Sequence, residues 1–233
     1  MFCFVDYRTT LFEKEALNSL NLKIIEIPLC PDVYEAINGH VDIQLNVLDK
    51  KSKKIIINRN IDNSFKNNLK NLNISYSESK NSIKSNYPNN ISLNALILDN
   101  YFIHNLKYTD ENLLQSQKNK ILINVKQGYT KCSCLPVSDK AIITSDIGIY
   151  KTLSTYGFDI LLLPPGDIIL KGLNYGFIGG TGGLISNDKM AFYGNLNYYK
   201  YGLEVKAFLK KYNVEPIYLN NSKLYDRGSL FVI

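Results

Sequence analysis

The chain has 233 residues, of which 45% are hydrophobic and 21% charged, and its 27 basic and 21 acidic side chains leave a net charge of +6. That composition excludes a disordered or fibrous protein, and the length allows one large domain or two small ones. No stretch approaches the roughly 18 apolar residues of a membrane span. Asp6 and Arg8 come too early for a signal peptide, and four cysteines are too few for a secreted disulfide scaffold. The expectation is a cytoplasmic protein with free thiols.

In chain order, one kind of unit recurs. Phe2-Cys3-Phe4-Val5 reads as a strand. Thr9 or Thr10 then caps a helix through Glu13, Ala16, Leu17 and Leu20. A second strand follows over Lys23 to Pro28. Ile43 to Leu48 and Ile55 to Ile57 read as two strands, with Lys50, Lys51, Lys53 and Lys54 filling the turn between them. These lysines are a conceivable nucleic-acid patch, but the better reading is a soluble turn tip. Asn73 to Tyr76 is the next strand. Leu93 to Leu98 pairs with Tyr101 to His104, and Ile121 to Val125 follows. Cys132 to Val137 pairs with Ala141 to Thr144, ahead of a helix over Asp146 to Tyr156 that Gly157 ends. Ile160 to Pro164 is again strand, Tyr199 to Tyr212 carries helical spacing, and Glu215 to Leu219 and Gly228 to Ile233 are the last strands.

Strands centred on Ile25, Ile74, Leu122, Leu161 and Ile217 lie 49, 48, 39 and 56 residues apart. Each unit reads strand, turn, strand, helix, strand. A unit of that size cannot bury its own apolar face, whereas five around an axis can. The first strand lacks a partner before it and the last lacks a helix after it, so the two chain ends should pair and close a ring.

Few residues offer chemistry. His104 sits in an apolar strand pattern and reads as structural. His40 lies in Gly39-His40-Val41-Asp42-Ile43-Gln44, where a strand would turn His40 and Asp42 to one face. On a buried face such groups imply a polar pocket. Cys132 and Cys134 allow several readings: half of a metal site lacking its other ligands, a redox pair with unusual spacing, a nucleophile working with a distant His, or two buried thiols. Gly179-Gly180-Thr181-Gly182-Gly183 lacks the Gly-Lys-Ser/Thr ending of a phosphate loop and reads as a close backbone approach lining a cleft.

Taken together, these segments resemble the pentein superfamily of guanidino-group-modifying enzymes, such as arginine deiminase and dimethylarginine dimethylaminohydrolase. The resemblance implies one domain over residues 1–233, a five-bladed α/β propeller of ββαβ-type units. Gly39-His40-Val41-Asp42 is similar to the family's His-x-Asp strand, which implies that His40 is the general acid/base and Asp42 a substrate carboxylate. Lys131-Cys132-Ser133-Cys134-Leu135-Pro136 is similar to the nucleophile strand, which selects Cys132 over Cys134. Val5-Asp6-Tyr7-Arg8-Thr9 resembles the segment whose Arg contacts a substrate carboxylate. Asp226-Arg227-Gly228-Ser229 resembles the segment whose first acid orients the His. In the family those last two segments follow one another along the chain, so their places at opposite ends here imply a circular permutation. The acidic pair expected near Gly179 and Gly180 is missing.

The function this implies is a cysteine-dependent hydrolase or deiminase acting on a small guanidino or amidine carbon–nitrogen bond. Cys132, His40 and Asp226 would be catalytic, and Asp42, Arg8, Gln44, Gly179 and Gly180 would bind substrate. No metal or organic cofactor is expected, the partner is a small molecule, and neither membrane nor nucleic acid is favoured. The alternative is a non-catalytic binding protein on the same scaffold, with a ribosome, RNA or protein partner.

Overall fold

The computed structural model describes residues 1–233. In chain order the elements are β1 (Phe2–Asp6), α1 (Leu11–Ser19), β2 (Lys23–Ile27), α2 (Val41–Gln44), β3 (Leu45–Asp49), β4 (Lys54–Ile57), α3 (Asn63–Asn71) and β5 (Ser75–Glu78). Then come β6 (Leu96–Ile97), β7 (Tyr101–His104), α4 (Glu111–Ser116), β8 (Ile121–Asn124), α5 (Thr130–Ser133), β9 (Cys134–Ser138), β10 (Ala141–Thr144), α6 (Ile147–Ser154) and β11 (Asp159–Leu162). Last are β12 (Gly182–Leu184), β13 (Lys189–Phe192), α7 (Gly202–Lys211), β14 (Glu215–Tyr218) and β15 (Phe231–Val232). No helix is long and apolar enough to cross a membrane.

The strands form five three-stranded sheets, ordered β15-β1-β2, β3-β4-β5, β6-β7-β8, β9-β10-β11 and β12-β13-β14. In each, the first pair is antiparallel and the third strand joins parallel after a helix. The expected unit therefore recurs five times. Its helix starts are locally encoded: Thr10 and Glu13 form a capping box, and the side chains of Asp62, Asp110 and Asp146 cap α3, α4 and α6.

Central strands are buried on both faces, and the alternation of side chains across each strand closes the ring. On β4, Ile55 and Ile57 pack with Phe4 and Ile25 of the first blade. Ile56, from the other face, packs with Phe102 and Leu113 of the third. Ile103 and Ile123 meet Ile142 and Leu153 between the third and fourth blades. Leu135 and Ile143 meet Phe192 and Leu209 between the fourth and fifth. Ala191 and Tyr193 meet Cys3, Val5 and Leu17 between the fifth and first. Burial of each such side chain stabilises by about 1.5–3 kcal/mol.

The chain ends pair as expected, with Cys3 opposite Val232 and Phe4 opposite Phe231. The last strand is shorter than its apolar pattern suggests, because Gly228 (φ +67°) and Ser229 (φ +73°) turn the backbone before it. Two further corrections affect the site. Residues 41–44 and 130–133 are single helical turns, not strand, and the inner strands begin only at Leu45 and Cys134. His40 and Asp42 consequently meet by the geometry of a turn, not by alternation along a strand.

Candidate active site

Segments just ahead of the five inner strands β15, β3, β6, β9 and β12 converge on one buried cluster. They supply Asp226 and Ser229, His40 and Asp42, Asn94, Lys131 and Cys132, and Gly179 and Gly180. Cys132 is 3% exposed, His40 1%, Asp42 0% and Asp226 5%. The donor atoms of His40, Asp42 and Cys132 lie within 4.8 Å of one another. A divalent ion accepting nitrogen, oxygen and sulfur ligands fits such a spacing.

Asn94 clamps the turn that carries Cys132. Its Oδ1 accepts from the backbone N–H of Lys131 (2.9 Å) and of Cys132 (3.1 Å). Its Nδ2 donates to Cys132 Sγ (3.2 Å) and to the Asp42 carbonyl (2.9 Å). The thiol faces the Asp42 carboxylate, with Sγ 3.2 and 3.1 Å from its two oxygens. Burial, followed by the charges of Asp42 and Asp226, holds the thiol well above its ordinary pKa. Cys134, one strand residue away from the turn, points instead into the core between the third and fourth blades. Burial pushes it up to about 12, so it is an inert core thiol.

Both ring nitrogens of His40 lack a hydrogen-bond partner. Nε2 lies 3.8 Å from Asp226 Oδ1, near enough for charge but too long for a hydrogen bond. Asp226 is itself fixed by the backbone N–H groups of Phe177 (2.8 Å) and Gly228 (2.9 Å). Burial raises its carboxyl, and the His40 charge opposes that. Gly180 permits this packing, since a Cβ there would stand 1.8 Å from Asp226 Oδ1.

Lys131 brings a cation into the cluster. Its Nζ donates to Ser229 Oγ (2.8 Å) and to the Gly179 carbonyl (3.1 Å), and Ser229 Oγ donates in turn to Asp42 Oδ2 (2.5 Å). The left-handed backbone of Ser229, costly for a residue with a Cβ, is what aims this hydroxyl. Burial lowers the Lys131 pKa, and the Asp42 charge opposes the shift.

Arg8 and Gln44 are held by internal partners. Arg8 pairs with Asp6 (Nη2 to Oδ2, 2.5 Å) and donates to the carbonyls of Glu35 (2.9 Å) and Ala36 (3.3 Å). Gln44 Nε2 donates to the Pro28 carbonyl (2.7 Å), tying down the preceding loop. Sequence reasoning gave no part to Asn94, Lys131 or Ser229. The motifs around Lys131 and Ser229 were visible, whereas Asn94 sits in a polar loop with no spacing to mark it.

Solved structures of similar shape share this fold at low identity. An amidinotransferase of the saxitoxin biosynthetic pathway from Microseira wollei matches with TM-score 0.54 and 9% identity, over 97% of this chain and 89% of that one. Dimethylarginine dimethylaminohydrolase from Pseudomonas aeruginosa, complexed with citrulline, matches with TM-score 0.54 and 8% identity, over 93% and 91%. The C. jejuni agmatine deiminase matches with TM-score 0.55 and 12% identity, over 96% and 90%. No curated protein sequence matches the chain. The ring of five blades is therefore a pentein propeller. Within that fold, the chain belongs to the family described as a family of unknown function (DUF6873), whose model matches residues 4–231.

Proposed function

We propose that this chain is a cysteine-dependent enzyme acting on a guanidino or amidine carbon–nitrogen bond of a small molecule, through a covalent thiol adduct. The observation that carries the reading is the buried approach of Cys132 Sγ to a His40 ring whose nitrogens are unpartnered. A structural His in a core is ordinarily hydrogen-bonded, as His104 is to Thr109 and the Gly128 carbonyl. The similar structures lend support: an amidinotransferase, a dimethylarginine dimethylaminohydrolase and an agmatine deiminase, names that share chemistry at such a carbon.

A planar cation entering beside Asp42 neutralises the charge that holds the thiol proton. The thiol then loses its proton to His40 and the sulfur attacks the central carbon. As the carbon–nitrogen bond breaks, His40 returns the proton to the departing amine. His40 next takes a proton from water as the oxygen adds to the adduct. The sulfur–carbon bond breaks, the ureido product leaves, and the thiol is restored. Asp226 faces the imidazole as its nearest carboxylate, 3.8 Å from Nε2. The Gly179 and Gly180 segment lines the cation side. Arg8 would bind a substrate carboxylate only by releasing the Glu35 and Ala36 carbonyls.

The test is ammonia or amine release from arginine, agmatine, methylated arginines and simple amidines. Wild type should turn over at least one of them, and Cys132→Ala should lose on the order of a thousandfold or more while keeping its fold. Turnover of none of these by wild type, or full activity in the variant, overturns the proposal.

A further inference from the structure

The inner strands enclose a second space. A cavity of about 820 Å³ lies between them, touched by Val47 on β3, Leu96 on β6, Pro136 on β9, Leu184 on β12 and Phe231 on β15. It reaches Lys50 and Lys51 in the β3–β4 turn, Asp99 in the β6–β7 turn and Asn187 in the β12–β13 turn. Those turns follow the C-terminal ends of the inner strands, whereas the candidate active site precedes their N-terminal ends. Lys131 also lines the cavity, and its ammonium donates to Ser229 and the Gly179 carbonyl.

The lining suits a particular kind of molecule. Its walls mix apolar and polar side chains, and four lysines (Lys50, Lys51, Lys120 and Lys131) line it against two acids, Asp49 and Asp99. Asp49 is turned to its own loop, accepting from Lys51 N–H (2.9 Å) and Ser52 Oγ (2.7 Å). The Lys131 ammonium is held by Ser229 and the Gly179 carbonyl, and that of Lys120 donates to the carbonyls of Leu98 and Asp99 at the rim. Desolvation depresses both Lys50 and Lys120, and the Asp99 charge opposes it in each. Cations so placed gain from an anion. Gln117, which is 4% exposed, also lines the space, and its Oε1 is buried without a partner. An orphaned buried acceptor calls for a donor.

We infer that this end of the propeller axis binds a small organic carboxylate with an apolar body and an N–H or O–H donor. The carboxylate faces Lys50 and Lys120, the body lies against Leu96, Leu184 and Phe231, and the donor meets Gln117 Oε1. The site is separate from the proposed reaction and stands whether or not Cys132 is a nucleophile.

N-acetyl-leucine is a suitable probe, with the uncharged N-acetyl-leucinamide as its control. Calorimetric titration of the full chain at low salt should show the acid binding at least about tenfold tighter than the amide, a difference of about 1.4 kcal/mol. Lys50→Gln combined with Lys120→Gln should abolish that preference, and Gln117→Leu should weaken binding of the acid severalfold. Cys132→Ala should bind it as wild type does, and the methyl resonances of Val47, Leu184 and Val232 should shift on titration. Absence of binding, equal affinity for acid and amide, or a preference that survives the double lysine substitution overturns the inference.

Discussion

The Cys132 sulfur hydrogen-bonds to a carboxylate, that of Asp42, at 3.1 and 3.2 Å from its two oxygens. The thiol proton therefore points at a carboxylate. A thiolate at that distance would face a like charge in a site from which water is almost excluded, an arrangement whose cost grows as the local dielectric falls. The Cys132 thiol is thereby held in its protonated form, and neutralising Asp42 would ease that hold.

Asp42→Asn should uncouple thiol acidity from turnover. Removing the carboxylate lowers the Cys132 pKa, because the Asp42 charge is one of the causes that raise it. Each unit of lowering increases the thiolate fraction about tenfold below the pKa. The variant should be alkylated by iodoacetamide faster than wild type at pH 8, with its rate–pH midpoint moved down, yet lose turnover of any cationic substrate. An unmoved midpoint would show that Asp42 does not control the thiol.

Gly180→Ala tests the packing behind His40. The added Cβ would stand 1.8 Å from Asp226 Oδ1, on a carboxylate pinned by two backbone N–H groups. Overpacking of this kind costs about 1–3 kcal/mol, a fall in Tm of roughly 2–12 °C for a chain this long. In an Asp226→Ala background the same substitution should cost much less, and thermal melts of the four proteins in the cycle measure that coupling. Additive losses would mean that the strain lies elsewhere.

His104 should make the fold acid-sensitive. Burial lowers its pKa from 6.5 to about 4, and its Nε2 donates to the Gly128 carbonyl as a neutral ring. Between those two values the unfolded chain binds the proton and the folded one does not. Stability from this residue is therefore complete above pH 6.5 and falls as pH drops towards 4, by about 1.4 kcal/mol per unit and about 3 kcal/mol in all. Urea melts at pH 7.5 and 4.5 should show a smaller difference for His104→Gln than for wild type. Equal differences would exclude the effect.

The ring was legible in the sequence because its cause is local. Helix caps recur, strands are continuously apolar, and a ββαβ unit of about 47 residues cannot be stable alone. Pairing of the chain ends followed from counting half-units. The cluster was legible as far as residue identity carries chemistry, in His40, Cys132 and Asp226. Its geometry was not. Val41 to Gln44 alternates like a strand but closes into a helical turn, because the Asp42 N–H is held by the Gly228 carbonyl (3.1 Å) from another blade. Asn94 carries no local signature, since its value comes from where β6 sets it against Cys132. Gln44 was expected to bind substrate, but its side chain is taken up by the Pro28 carbonyl, a partner that no local spacing marks.

Lys131 both lines the cavity between the inner strands and, through its ammonium, holds Ser229 and the Gly179 carbonyl beside Asp42. A single side chain with four rotatable bonds thus joins the residues beside Cys132 to the lysine-rimmed cavity. Its withdrawal towards the cavity would at once free Ser229 and leave Asp42 less shielded. One hydrogen-bonded chain, from Lys131 through Ser229 to Asp42, therefore links the wall of the cavity to the carboxylate that faces the thiol.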